Sequence, residues 1–332
     1  MKTYIKAISY FLPENVVTNE ELVAEFPEWT VEKIANKVGV NRRHVASEDT
    51  TASDLAVEAA EKLFSQYPHI KREEIDFVLL CTQSPDYFLP SSACIIQHRL
   101  GIPTECGAFD FNLGCSGYVY GLAVAKGLIC GGIARNILLL TAETYNKYLH
   151  PKDKGNRTIF GDAATATIVS TDGFAEIGNF ALGSNGAGAD NLIVKTGASR
   201  FPNKAGDLRF DENGNPISSD HLFMNGSEIF SFTQKNVPVV VRETLVKNNL
   251  SQENINLFVF HQANSYMLNF LRKKIKIAPD RFYVNMDDIG NTVSNSIPIA
   301  LADAFANNQL SGNVLICGFG VGYSWGASIL KF

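Results

Sequence analysis

The 332-residue chain has no C-x-x-C pair, no long apolar run and no surplus of positive charge, and each absence removes a class of protein. Its six cysteines, Cys81, Cys94, Cys106, Cys115, Cys130 and Cys317, are scattered, most of them within apolar segments. That spacing builds neither a disulfide framework nor a structural metal site, and it fits a reducing, cytoplasmic setting. No apolar stretch approaches the length of a membrane-spanning helix. Lys2 to Tyr10 alternates like a strand rather than a signal peptide. A formal charge of −5 argues against broad nucleic-acid binding. Hydrophobic residues at 45% against charged residues at 19% are an ordinary globular balance, so disorder is not expected.

What the chain does contain is one plan written twice. Short apolar strands alternate with helical patterns, which predicts an α/β protein with a largely parallel sheet and helices on its faces. Glu73–Cys81 lines up with Glu253–His261, 180 residues further on. Each run is followed by a helical pattern, Ser91 to Leu100 in one case and Ser265 to Ile275 in the other. Ile137–Leu140 lines up with Val314–Cys317, and Tyr4–Phe11 with Ala175–Leu182. Matches in the same order predict a duplication, with halves at 1–172 and 173–332. In such a layer the loops after the strand C-termini gather on one side. Cys115, His261 and Asn291 all fall just after predicted strands or at helix starts.

Cys115 lies on a turn between an apolar strand, Ala108 to Phe111, and an apolar helix, Ser116 to Cys130. A helix N-terminus favours a thiolate, and Gly114, Ser116 and Gly117 leave room for a substrate carbonyl. Taken alone, the turn fits a small buried cysteine better. His261 opens His261-Gln-Ala-Asn264 after a buried strand, where a histidine also serves as a polar cap. Asn291, before a helix beginning near Val293, also fits an Asx turn or N-cap. Gly318 to Gly326 is a glycine-rich hairpin turn and not a dinucleotide fingerprint, because its spacing is wrong and no helix follows.

Taken together, Gly114-Cys-Ser-Gly117, Ile159-Phe-Gly-Asp162, His261-Gln-Ala-Asn264, Gly290-Asn-Thr292 and Gly318-Phe-Gly-Val-Gly322 with Trp325-Gly326 carry a specific resemblance. The chain resembles, end to end, the β-ketoacyl-acyl-carrier-protein synthase III group of the thiolase superfamily. The resemblance implies a five-layered α-β-α-β-α fold, a homodimer and a Cys-His-Asn triad of Cys115, His261 and Asn291. It implies decarboxylative condensation of an acyl primer with a malonyl thioester on acyl carrier protein. No metal, flavin or nicotinamide is needed. Coenzyme A and carrier thioesters enter as substrates. Phe319 corresponds to a family phenylalanine beside the nucleophile, and backbone around Val321 and Gly322 to an oxyanion-stabilising loop. Trp29, Lys37 and Lys154 correspond to positions that hold the coenzyme A nucleotide. Arg272, Lys273 and Lys274 correspond to a docking patch for an acidic carrier.

Several positions depart from the family pattern. Tyr266 stands where a carrier-contacting arginine is common, and Lys37 and Lys154 replace arginines. Ser227 replaces an asparagine that orders water. Leu89 replaces a bulkier aromatic that reaches across the dimer into the acyl pocket, which implies a primer longer than acetyl. Two other functions fit parts of this pattern. One is acyl transfer to a hydroxyl or amine without decarboxylation, which does not need Asn291. The other is a silent carrier-binding subunit, which would not need the nucleophile. A papain-like hydrolase shares the order Cys, His, Asn but none of the surrounding motifs.

Overall fold

A computed structural model describes all 332 residues. The first half supplies strands β1 (Tyr4–Phe11), β2 (Phe77–Cys81), β3 (Gly107–Phe111), β4 (Asn136–Glu143) and β5 (Ala163–Ser170). The second supplies β6 (Ala175–Ser184), β7 (Leu257–Phe260), β8 (Phe282–Tyr283), β9 (Asn313–Gly320) and β10 (Ser324–Lys331). The first five lie in the order β1-β5-β4-β2-β3, and the second five repeat it as β6-β10-β9-β7-β8. The two sets touch only where Tyr4 faces Glu176 and Ile5 faces Ala175. The expected boundary between residues 172 and 173 falls in the turn joining β5 to β6.

Strand directions repeat as well. In each half two neighbouring pairs are antiparallel and two are parallel. The sheet is therefore mixed, where a largely parallel one was expected. The β9–β10 turn is only three residues long, and such a turn can join antiparallel strands but not parallel ones.

The main helices are α1 (Asn19–Glu25), α2 (Val31–Val38), α3 (Ala52–Gln66), α4 (Ser92–Arg99), α5 (Gly117–Cys130), α6 (Gly226–Lys247), α7 (Ser265–Ile275) and α8 (Ser296–Ala306). Helices α5 and α8 carry apolar side chains all round, which suits a helix covered on both faces. They form the middle layer, where Val119, Leu122 and Ile129 share one core with Ile297, Leu301 and Ala304. Helices α3 and α4 cover the outer face of the first sheet through Leu55, Leu63 and Ile96. Helices α6 and α7 form the opposite outer layer through Val237, Val241, Leu268 and Leu271. The result is the expected five layers, α-β-α-β-α. Each fully buried Leu or Ile contributes about 1.5–3 kcal/mol, so the middle layer holds the two halves together firmly.

Candidate active site

Cys115 sits in the turn after β3, two residues before α5 begins, and is 8% exposed. The turn closes through Gly117 N–H to the Gly114 carbonyl at 2.7 Å. Ser116 does not cap α5. Its hydroxyl bonds Ser324 at 2.6 Å and ties the turn to the start of β10. Gly320, at the end of β9, lies so close that a Cβ there would stand 3.1 Å from the Cys115 sulfur. The hairpin therefore meets the nucleophile turn only because position 320 has no side chain. The Cys115 N–H donates to no protein acceptor.

His261 follows β7, with its N–H bonded to the Cys317 carbonyl of β9 at 2.8 Å. Its ring meets Phe319 edge-on, with centroids 5.6 Å apart. Nδ1 pairs with the Ser296 hydroxyl at 2.7 Å, and no protein group bonds Nε2. Asn264 caps α7 through the Met267 N–H at 2.9 Å, and Gln262 bonds Asn285 N–H at 2.8 Å. Of the buried residues of that motif, His261 keeps a side-chain nitrogen with no protein partner, whereas the Gln262 amide is bonded at both ends.

The Ile159-Phe-Gly-Asp162 motif holds the Asn291 loop. Asn291 N–H donates to the Ile159 carbonyl at 2.9 Å, and Gly161 N–H donates back to the Asn291 carbonyl at 3.0 Å. Gly290 makes the turn at φ +76. The Asn291 side-chain oxygen accepts from Val293 N–H at 2.9 Å, which turns its NH2 group the other way. Val293 also packs beside Gly114, one residue before the nucleophile. Shared neighbours thus bring Cys115, His261 and Asn291 to one place: Gly320 and Phe319 on one side, Val293 and Ser296 on the other.

The electrostatics correct one expectation. Burial opposes the thiolate that the helix N-terminus favours at Cys115. Burial, and then the Glu143 carboxyl, push its thiol up to about 12. Burial takes His261 down to about 3, so the imidazole is neutral at any working pH. Glu143, at the end of β4, is wholly buried and pushed up to about 8 by burial. It accepts from Gln83 N–H, the Ser84 hydroxyl and the Ser294 hydroxyl at 3.0–3.3 Å, with no cation among these partners.

A cleft of about 1040 Å³ opens beside this centre, lined by Gln83, Leu89, Tyr145, Tyr148, Leu192 and Val321 among others. Gln83 and Val321 also flank Gly114, so the cleft leads towards Cys115. Leu89 is 82% exposed at its rim, beside Tyr87 and Phe88. Gly322, next to Val321, lies at the exposed hairpin tip.

Trp29, just before α2, has the Lys33 and Lys37 ammonium groups 4.7 and 5.5 Å from its ring centroid. Lys154 reaches Glu28, next to Trp29 in the chain, and its ammonium is taken by that carboxylate at 2.5 Å and the Asn213 carbonyl at 2.8 Å. On α7, Arg272 turns back onto the Ile277 carbonyl at 3.1 Å, leaving Lys273 and Lys274 exposed. Ser227 bonds Asn225 at 2.8 Å at the start of α6, and the exposed Tyr266 ring lies tilted against Phe230.

Glu143, Ser296, Gln83, Tyr145 and Tyr148 were not singled out from the sequence. Glu143 had a usable signal, because an acid ending the apolar run Ile137 to Ala142 belongs to the same loop side as Cys115.

A duplicated five-layered fold of this topology defines the thiolase-type condensing enzymes. A family model described as 3-oxoacyl-[acyl-carrier-protein] synthase III matches residues 109–186, and its C-terminal counterpart matches residues 245–332. A β-ketoacyl-[acyl-carrier-protein] synthase III of Clostridium perfringens is 37% identical over 324 residues, covering 97% of this chain and 96% of that one. A solved 3-oxoacyl-(acyl-carrier-protein) synthase III superposes over the whole of both chains, with TM-score 0.97 and 50% identity. A 3-oxoacyl-(acyl-carrier protein) synthase of Burkholderia xenovorans aligns with TM-score 0.91 and 36% identity, over 99% of this chain and 94% of its own. The chain belongs to the 3-oxoacyl-[acyl-carrier-protein] synthase III family and is a condensing acyltransferase of that type.

Proposed function

We propose that Cys115 carries the acyl primer and that His261 and Asn291 activate the malonyl thioester, making a 3-oxoacyl thioester on acyl carrier protein. The observation that carries this reading is a buried thiol with a free N–H at its own residue, enclosed with a neutral imidazole and a fixed carboxamide. The Cys115 sulfur attacks the primer thioester, and its proton ends on the departing thiol. Malonyl thioester then loses CO2. The electron pair moves into an enolate, whose oxygen takes hydrogen bonds from His261 Nε2 and Asn291 Nδ2. The enolate carbon attacks the acyl carbon, and the resulting oxyanion faces the Cys115 N–H. Collapse expels the Cys115 thiolate, which takes up one proton from solvent. Phe319 keeps water from the enolate. Neutral donors suit this chemistry, because a charged imidazolium would hold the malonyl carboxylate and oppose its loss.

The finer assignments complete this reading. The mouth at Trp29, Lys37 and Lys154 takes the carrier arm or nucleotide of the primer, with Lys154 already neutralised by Glu28. Lys273 and Lys274 meet the acidic carrier. The working unit is a homodimer in the cytoplasm, and no helix is long and apolar enough to cross a membrane.

The test is incubation with a panel of acyl-coenzyme A thioesters and weighing of the intact protein, followed by CO2 release from malonyl carrier protein. One acyl group per chain, lost in Cys115→Ala, is the expected result. Acyl-enzyme without CO2 release would favour transfer to a hydroxyl or amine instead.

A further inference from the structure

We infer, on the reading of Cys115 as the acyl-bearing residue, that Tyr145 selects the primer and that this primer carries a hydroxyl or keto oxygen on its second or third carbon. Tyr145 lies in the cleft wall, 4% exposed, and belongs to the same core as Cys115. Its ring is fixed between Phe160, with centroids 5.1 Å apart, and the edge of Tyr148 at 5.8 Å. The other enclosed polar side chains of the wall are tied to the protein. Tyr148 donates to the Gln83 carbonyl at 2.7 Å, the Gln83 amide to Asn112 at 3.1 Å and the Thr196 hydroxyl to Asp220 at 2.6 Å. The Tyr145 hydroxyl bonds no protein group, the Cys115 sulfur included, and the opening beside it is the cleft. Burial, and then the Cys115 thiol, hold the phenol well above its ordinary range, so it stays neutral and able to donate. A phenol near enough to sense the charge of Cys115 faces the first carbons of an acyl chain on that sulfur.

Leu192, Val194, Leu222 and Val321 make much of the remaining wall apolar. An alkyl primer gains along these side chains as its methylenes leave water. At Tyr145 it loses, because it displaces the water that serves the hydroxyl and offers no acceptor in return. Leaving a buried hydroxyl unpaired costs more than an ordinary hydrogen bond contributes. A primer oxygen at this point replaces the bond that water made. A pocket that hydrogen-bonds a substrate oxygen also rejects the analogue lacking it more sharply than an apolar pocket rejects one methylene. Chain length is thus read along the apolar wall, and the oxygen is read by Tyr145.

The experiment follows acylation of Cys115 by weighing the intact native protein over time. The primers are 2- and 3-hydroxybutyryl and 2- and 3-oxobutyryl thioesters, each compared with the 2- or 3-methylbutyryl thioester of similar shape. All are presented both on coenzyme A and on carrier protein. An oxygenated primer should acylate on the order of tenfold faster, or more, than its methyl counterpart. Tyr145→Phe, which removes only the hydroxyl, should bring that pair to similar rates. Methyl counterparts as fast as every oxygenated primer in the native protein overturn the inference, since the wall then reads shape alone. A preference for oxygen that survives in folded Tyr145→Phe overturns the role of Tyr145. Failure of every thioester, straight-chain acyl thioesters included, to modify Cys115 would overturn the functional reading instead.

Discussion

At the residue scale, the site is governed by burial rather than by charge pairing. Cys115, His261 and Glu143 are all enclosed, and each is displaced towards its neutral form. Glu143 is the one group whose charge changes near neutral pH. Its pKa is raised in the folded protein to about 8. Its stabilising contribution is therefore fully present below the unfolded carboxyl range and is lost as pH rises through about 8. Glu143→Gln should be more stable relative to the native protein at pH 9 than at pH 5, as measured by urea unfolding at both values. Above pH 8 the charged carboxylate also opposes ionisation of Cys115. Alkylation at Cys115, mapped by peptide mass because Cys94 and Cys130 are exposed, should be about three- to tenfold faster in Glu143→Gln at pH 9.5. At pH 6.5 the two proteins should react alike. A constant ratio across that range would mean that the carboxylate does not sense the thiol.

At the scale of the element, two loops carry the specificity of the arrangement. The Asn291 loop depends on Gly290, whose φ of +76 and whose neighbour, the Ile159 carbonyl, 2.8 Å from where a Cβ would sit, both exclude a side chain. Gly290→Ala should cost about 1–3 kcal/mol. It should also lower condensation more than primer transfer, since Asn291 moves and Cys115 does not. Thermal unfolding and the two half-reactions check this, and an enzyme with native condensation would show that the loop tolerates displacement. The second loop, Gln83 to Leu89, rims the cleft. Two additional primer methylenes buried there add about 1.6 kcal/mol, roughly tenfold in affinity. Leu89→Phe should shift the preferred primer towards acetyl. An unchanged chain-length profile would place the limit of the pocket elsewhere.

The elements also show what was legible in the sequence. Strands β1, β2, β4, β6, β7 and β9 were visible as apolar runs, and their pairing across the duplication was visible in the repeated order. Of the antiparallel pairs only β9–β10 was legible, as the hairpin around Gly318 to Gly326; the others were not, because alternation of strands and helices carries no direction unless a turn is short. Cys115, His261 and Asn291 stand out by residue type and by position after strands. Ser296 does not, because its contacts with His261 and Gln262 join segments far apart in the chain and form only on folding; Glu143 was legible only as an acid ending an apolar run. Lys154 and Arg272 looked free as charges, yet the fold gives each a partner.

For the molecule as a whole, the outer strand β3 is the open question that the structure poses to solution measurement. It pairs with β2 alone and ends the sheet. Phe109 projects from it, 37% exposed. The only charge on it, Asp110, turns away to cap α4, accepting from Ser92 and Ala93 N–H at 2.6 Å. An edge with neither lysine nor proline invites pairing with another strand. The protein should weigh twice 36.4 kDa by light scattering, and Phe109→Lys should weaken that association. A monomer at micromolar concentration would remove the dimer from the proposal.

The repeated sheet order gives each chemical position a twin. The twin of His261 is Cys81, at the end of β2. Its sulfur donates to the Leu113 carbonyl at 2.9 Å, and it lies where a Cβ on Gly117 would be only 2.2 Å away. On the proposed reading one copy of the position performs chemistry, while the other acts as a doorstop under the turn that holds Cys115. The two roles are not exchangeable. An imidazole placed at Cys81 would drive into the first turn of α5 and dislodge Cys115, so the fold's symmetry cannot be used to install a second imidazole beside the nucleophile.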